Sequence, residues 1–452
     1  MVHILQIETP SLGDRSYLAH DGELAVVVDP QRDIDRVLKL AAREGVRITD
    51  VFETHIHNDY VTGGFALAQQ VGARYHVNAD DTVSFERNPI RDGDVVEVSP
   101  TMSVRAIATP GHTFTHLSYA LLEGGEQQAV FSGGSLLFGA TGRPDLLGAE
   151  HTHALVHHQF ASAHRLADEL PDSARVLPTH GFGSFCAAGA TSGADSSTIG
   201  DEKRVNPALT HDEEAWVADI LAGLEEYPTY YAHMGPANSA GPDAPGLDAA
   251  PARADKDAVA RALAAGEWVV DLRHRTAFAR GHVPRTLNIG LDGQFSTYLG
   301  WLMPWGSALT LLGESPEQVE EARRELVRIG VDRLEGAADG APEDWTDEPL
   351  ASTPRATFAD LAQVRHHREV SVLDVRRNSE HAAAHVEGAT SIPLHELPTR
   401  LDEVPDGEVW VHCAGGYRAS IAASLLAAAG THVVLVDDSF DEHARSAGLP
   451  VV

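Results

Sequence analysis

His55, His57 and Asp59 stand in the run Thr54-His55-Ile56-His57-Asn58-Asp59-Tyr60, directly after an apolar stretch that ends at Thr54. Alternate residues of an extended segment point to the same side, so both imidazoles can face one point. His112 lies in Gly111-His112-Thr113, after a strand-like run and Pro110, and His180 follows Leu177-Pro178-Thr179 in the same manner. Histidines on loops at one end of a sheet are what a metal site in an α/β scaffold requires. The chain has 25 histidines, so any one of them alone is equally well read as a surface or core residue. The HxHxD triplet combined with a Gly-His after a proline turn is what singles these out. His55, His57 and His112 form a set able to hold one Zn²⁺ or Fe²⁺ with an open position. Asp59, His180 and Asp145 are candidates to orient that set or to join it.

A second chemistry centres on Cys413. An apolar strand over residues 409–412 runs into it, followed by Ala414, Gly415, Gly416, Tyr417 and Arg418. Residues 419–429 then read as a helix ended by Gly430. Such a loop can turn successive N–H groups toward the sulfur with a helix N-terminus behind it, and both favour thiolate. Arg418 adds a positive charge suited to an anionic sulfur donor. The result is a nucleophile able to carry a sulfane sulfur as a persulfide. Cys186, the other cysteine, reads as a small buried packing residue near His180. Two cysteines exclude a disulfide framework and a Cys-rich zinc site.

The elements that must position these groups follow from periodicity. Residues 24–28, 48–54, 104–108, 117–122 and 129–132 are strand-like, and 33–44 has helical spacing with Ile34, Val37, Leu38 and Ala41 on one face. Residues 190–201 read as a polar surface loop. Residues 235–254, rich in Gly, Pro and Ala, read as a linker, and 336–354 as a second break. The C-terminal half contains a repeat. Asp271-Leu272-Arg273, His282 and Ile289 recur as Asp374-Val375-Arg376, His385 and Ile392, each displaced by 103 positions. A shared register over this span reads as a duplicated domain. The first copy, 255–335, has no cysteine after its strand at 308–312, so it is expected to be non-catalytic, with a packing or substrate-positioning role.

The 452 residues call for two or three domains. A net charge of −32 argues against nucleic acid and anionic membrane as partners. The N-terminus shows no signal-peptide pattern, and no apolar run approaches a membrane span, so a cytoplasmic protein is expected. Homo-oligomerisation is left open.

THIHNDY, TPGHT and PTHG resemble the metal motifs of the metallo-β-lactamase superfamily, with Ser16-Tyr17-Leu18 and Val28-Asp29-Pro30 fitting its opening strands. The resemblance covers about residues 1–240 and is nearest to the persulfide dioxygenases, relatives of the glyoxalase II thioesterases. Gly142-Arg143-Pro144-Asp145 has a counterpart in that branch. The resemblance implies an αββα sandwich and one iron held by His55, His112 and an Asp. Here Gly134 stands at that Asp and Tyr60 at a further His of binuclear relatives. The resemblance thus predicts weak iron binding that Gly134→Asp would strengthen. The loop after Cys413 and the Asp374-x-Arg376 signature resemble the rhodanese sulfurtransferases over 355–452, and 255–335 resembles a rhodanese copy without its nucleophile. Both imply α/β domains with parallel sheets.

Together these segments resemble persulfide dioxygenase–sulfurtransferase fusions. The resemblance implies oxidation of a low-molecular-weight thiol persulfide at a mononuclear Fe(II) or Zn(II) site, coupled to sulfur transfer among persulfide, thiosulfate and sulfite through Cys413. Two alternatives stand beside it. One is a metal-dependent thioester hydrolase of the glyoxalase II type. The other is a metal-deficient N-terminal scaffold with only the C-terminal sulfurtransferase active.

Overall fold

The computed structural model describes residues 1–189, 191–247 and 249–452; the first residue of the predicted 190–201 loop and residue 248 of the predicted linker lie outside the described residues. The chain forms two compact units, Met1–Gly246 with Leu326–Gly330, and Leu247–Glu325 with Val331–Val452.

The first unit is built on two six-stranded sheets. One runs in chain order through His3–Thr9, Asp14–His20, Leu24–Val28, Arg47–Phe52, Arg74–Asn78 and Asn88–Ile90. Its early strands are antiparallel and its later ones parallel. Leu24–Val28 is buried on both faces, which is why it reads as an unbroken apolar run. The second sheet is ordered Ser197–Thr198, Arg175–Pro178, Glu126–Gly133, Leu117–Glu123, Met102–Ala108, Val95–Glu97. Val26, Val28 and Phe52 pack against Val104, Tyr119 and Phe131 between the sheets. The amphipathic helix Asp35–Glu44 buries Val37 and Ala41 on the outer face of the first sheet, and Ala149–Glu169 buries Val156 and Leu166 on the second. This layering is the αββα sandwich. The ends of Arg47–Phe52, Met102–Ala108, Glu126–Gly133 and Arg175–Pro178 carry the loops with His55, His112, Gly134 and His180.

The second unit contains two parallel sheets. The first copy orders its strands Leu287–Asn288, Trp268–Asp271, Leu309–Gly313, Gly336–Asp339. The second orders them Thr390–Ser391, Ser371–Asp374, Glu408–His412, His432–Val436, Arg355–Ala356. The duplication is visible at atomic detail. Asp271 Oδ1 accepts from the N–H of Arg273 at 3.0 Å and Arg273 Nη2 donates to Gly281 O at 2.8 Å; Asp374, Arg376 and Ala384 repeat this at 3.0 and 2.7 Å.

Three stretches differ from the sequence reading. Residues 235–240 belong to the helix Tyr231–Ala240 rather than to a linker, because Asn238 is buried and anchored by side-chain hydrogen bonds. Gly336–Asp339 is a strand, paired in parallel with Leu309–Gly313, so the first copy runs past residue 335. The 190–201 loop ends early: the capping box of Thr198 and Asp201 starts the helix Ile199–Val205.

Candidate functional site

Asp29 follows the strand Leu24–Val28 and sits in the left-handed region at φ 51, uncommon for a residue with a side chain. Its carboxylate accepts from the N–H and Oγ1 of Thr54, both at 2.7 Å, and from Thr179 Oγ1. Thr54 Oγ1 has thereby given its proton away, so it accepts from His55 Nδ1 at 2.9 Å. That bond fixes the tautomer of His55 and leaves its Nε2 with a lone pair. His112 donates from Nδ1 to the Arg143 carbonyl at 2.8 Å, and its buried Nε2 has no hydrogen-bond partner among the described residues. His180 Nδ1 is held by Asp14 at 2.9 Å and by Asp59 at 3.1 Å, and its Nε2 lies 3.4 Å from His55 Nε2. The ligand atoms of His55, His112 and His180 all fall within 4.8 Å of one another. Three ring nitrogens converge, each ring oriented from behind by an oxygen. The donor set fits one divalent transition metal.

His57 does not share this grouping. Its Nε2 points to Glu53 at 3.2 Å, Tyr60 Oη at 3.0 Å and Asp29 at 3.3 Å. Burial opposes its charge, but Asp29 and Glu53 outweigh burial and raise its pKa to about 9. Its ring thus faces two carboxylates, although it also lies within reach of Asp59 and His180. Burial above all drives His55 down and takes His112 to about 3, which suits both to ligation, whereas Asp59 and Asp14 outweigh burial at His180 and raise it. Asp145 is taken up by a bidentate pair with Arg143, both bonds at 2.7 Å, and stands outside the cluster. Cys186 is fully buried beside Asp59, 3.8 Å from Tyr231 Oη, and burial pushes its thiol up.

Gly134 is not a vacant position. A Cβ there would lie 2.4 Å from Cδ2 of His112, and one at Gly142 would lie 2.8 Å from its Nδ1. The His112 ring is wedged between two glycines and occupies the space that any side chain at position 134 would need. This packing predicts the opposite of the strengthening that the resemblance leads one to expect from Gly134→Asp.

Sequence reasoning missed Asp14, Asp29, Glu53 and Asn238. The Asn238 amide donates to the carbonyls of His57 at 2.9 Å and Tyr60 at 2.8 Å and accepts from the N–H of Thr62 at 2.8 Å, bracing the whole HxHxD loop. Asp29 was signalled by Asp-Pro after a buried strand; Asn238 had no signal. A cavity of about 220 Å³ opens on His180 between Phe138, Phe182 and Thr191.

In the second unit Cys413 lies at the end of Glu408–His412 and is 2 % exposed. Gly416, at φ 93, turns its N–H to the sulfur at 3.1 Å and opens the helix Tyr417–Ala428. Ala414 O accepts from Phe440 N–H, and Gly415 faces open space, leaving the loop's outer side free. Arg418 forms a bidentate pair with Glu380 at 2.5 and 2.8 Å, so its fork is already engaged. Tyr417 Oη donates to Gly290 O of the first copy at 2.8 Å. Ser420 donates to Asn288 Oδ1 at 2.6 Å, and Ser424 accepts from the Asn288 N–H at 3.0 Å. In the first copy Gly313 stands where Cys413 does: Leu272 N–H bonds Leu312 O as Val375 N–H bonds His412 O. A Cβ on Gly313 would meet Val319 Cγ2 at 2.9 Å, so a side chain there requires Val319 to shift.

Comparison with known proteins agrees with this division. Residues 15–180 match the metallo-beta-lactamase superfamily model and residues 357–446 the rhodanese-like domain model. The crystal structure of a metallo-beta-lactamase from Staphylococcus aureus is similar at 27% identity and TM-score 0.66, covering 75% of this chain and 99% of that one. ETHE1 from Myxococcus xanthus is 28% identical, with TM-score 0.45, over 53% of this chain and 98% of that one. A hydroxyacylglutathione hydrolase of Polaromonas sp. is 31% identical over 160 residues, 35% of this chain and 57% of that protein. The chain thus spans little more than half the length of that curated relative. It combines a metallo-β-lactamase-superfamily domain with a C-terminal rhodanese-like domain. No helix among the described residues is long and apolar enough to cross a membrane.

Proposed function

We propose that this protein is a sulfur-metabolism enzyme in which Cys413 carries sulfane sulfur and the N-terminal domain acts on a low-molecular-weight thiol persulfide. The observation that carries the reading is the Gly416 N–H aimed at the Cys413 sulfur from the start of a helix, in the second copy alone. The Cys413 thiolate attacks the outer sulfur of thiosulfate. The S–S bond breaks, sulfite leaves with the electron pair, and a cysteine persulfide remains. An acceptor thiolate then attacks that outer sulfur and restores the Cys413 thiolate. Two half-reactions on one carrier give ping-pong kinetics.

In the N-terminal domain His55, His112 and His180 would hold a single iron or zinc, which would supply Lewis-acid or redox chemistry with open positions for substrate. Thr54, Arg143 O, Asp14 and Asp59 orient these imidazoles, and a cavity of about 220 Å³ lies beside His180. Thioester hydrolysis is a second reading, favoured by the hydroxyacylglutathione hydrolase relative. It is weakened because Gly134 supplies no carboxylate to bridge two ions.

The test is metal analysis of protein purified without added metal, run with an oxygen electrode and a synthetic thiol persulfide. Stoichiometric metal with oxygen uptake supports the reading. Metal with thioester cleavage and no oxygen uptake favours the hydrolase. Absence of metal leaves the N-terminal domain a scaffold. Intact-mass analysis after thiosulfate should show one added sulfur on the wild type and none on Cys413→Ser; sulfur on Cys186 would overturn the carrier assignment.

A further inference from the structure

Asp437 lies against the loop that holds Cys413. A Cβ on Gly416 would come within 2.1 Å of Asp437 Oδ1, and Gly416 is the residue whose N–H reaches the sulfur. A carboxylate therefore stands beside the glycine that reaches the sulfur, and its charge opposes a thiolate on the other side of that turn. Two arginines answer it. Arg355 donates to Oδ2 from Nε at 3.1 Å and Nη2 at 2.7 Å. Arg275 donates from Nε to Oδ1 at 2.7 Å, and its Nε would lie 3.2 Å from the same Cβ on Gly416.

Arg275 belongs to the first copy, on the helix Arg275–Arg280, and is steadied there by Asp292 at 2.7 Å. The matching position of the second copy, 103 residues on, is Asn378. The arginine is thus a feature of the copy that lost its nucleophile. Arg418, balanced by Glu380, and Tyr298 of the first copy also act on Cys413; His412 adjoins through the backbone and is neutral, taken by burial to about 4.

We propose that Arg275 of the first copy is a positioning residue for Cys413: it pins Asp437 under the Gly416 turn and cancels its charge, so that the silent copy sustains the reactivity of the active one. The inference rests on Cys413 being the reactive thiol.

The test is the rate of iodoacetamide alkylation of Cys413 against pH in the full chain, read by peptide mass spectrometry. Arg275→Ala should slow alkylation at pH 7 by about three- to tenfold, because Arg355 still balances part of the charge. Asp437→Asn, which keeps the shape and removes only charge, should quicken it by a similar factor. The double variant should return near the wild type, and Arg275→Lys should recover most of the rate. If both single variants are slow, or both unchanged, the role is merely structural and the proposal falls. If Arg275→Ala fails to fold, Asp437→Asn alone decides, and no acceleration overturns the inference. Wild-type Cys413 that resists alkylation in the folded chain but not the unfolded one would overturn the carrier reading and this inference with it. Reactive Cys413 with unchanged variants would overturn this inference alone.

Discussion

Gly134→Asp is the sharpest perturbation of the N-terminal site, because family resemblance and packing predict opposite outcomes. By resemblance the new carboxylate would restore a missing ligand. By packing, its Cβ would begin 2.4 Å from the His112 ring, well inside van der Waals contact. Gly134 is absent from the residues at positive φ, so the backbone accepts a side chain and the clash is the isolated cause. His112 cannot retreat freely, since Gly142 closes its other face and Nδ1 is tied to the Arg143 carbonyl at 2.8 Å. Overpacking of this kind costs about 1–3 kcal/mol, and the lost hydrogen bond adds about 1 kcal/mol. A total of about 2–4 kcal/mol lowers the Tm of a unit this size by roughly 5–15 °C. Displacing one of three ligands also lowers metal affinity by more than about tenfold. Gly134→Ala separates the causes, since it brings the clash without the carboxylate and should behave alike. The assay is differential scanning calorimetry paired with competitive zinc titration. A Gly134→Asp protein of unchanged Tm that binds metal more tightly would refute the packing account.

Other outcomes follow from the same geometry. His180→Ala should remove most bound metal, whereas His57→Gln should keep it while lowering Tm, read by metal stoichiometry on purified variants. Asn238→Ala leaves buried groups of His57, Tyr60 and Thr62 unpaired, at about 1–3 kcal/mol for each unsatisfied group, and should show as faster proteolysis within the 55–62 loop and weaker metal retention. Asp374 is held at about 2: burial pushes it up, but Arg376, His412 and His381 overrule that. Its folded value lies below the ordinary 3.8, so its stabilisation is present above pH 3.8 and is lost as pH falls through about 2. Asp374→Asn should cost the second unit about 2 kcal/mol at neutral pH and flatten its acid unfolding over that window.

The histidines at strand ends, Cys413 and the 103-residue register were legible because each is a local pattern of residue type and spacing. The division of labour between His57 and His180 was not. Two-residue spacing puts His55 and His57 on one side, yet the ring of His57 is claimed by Glu53 and Asp29, which only the folded sheet brings beside it. Gly134 read as a missing ligand because a sequence shows what a residue lacks, not what a neighbour's ring does with the space. Asn238 sat unseen in a Gly-, Pro- and Ala-rich tract, since one buried amide leaves no periodicity. The strand Gly336–Asp339 was hidden by its small residues, which pair through the backbone without an apolar signature.

The bonds from Asn288 to Ser420 and Ser424, and from Tyr417 to Gly290, bear on how this pair of repeats can evolve. They sew the helix behind Cys413 to the body of the first copy. A recombination event that delivered only the last hundred or so residues to another gene would strand those hydroxyls and an aromatic ring at a raw surface. On these contacts the piece that transfers without baring polar groups is the fused pair.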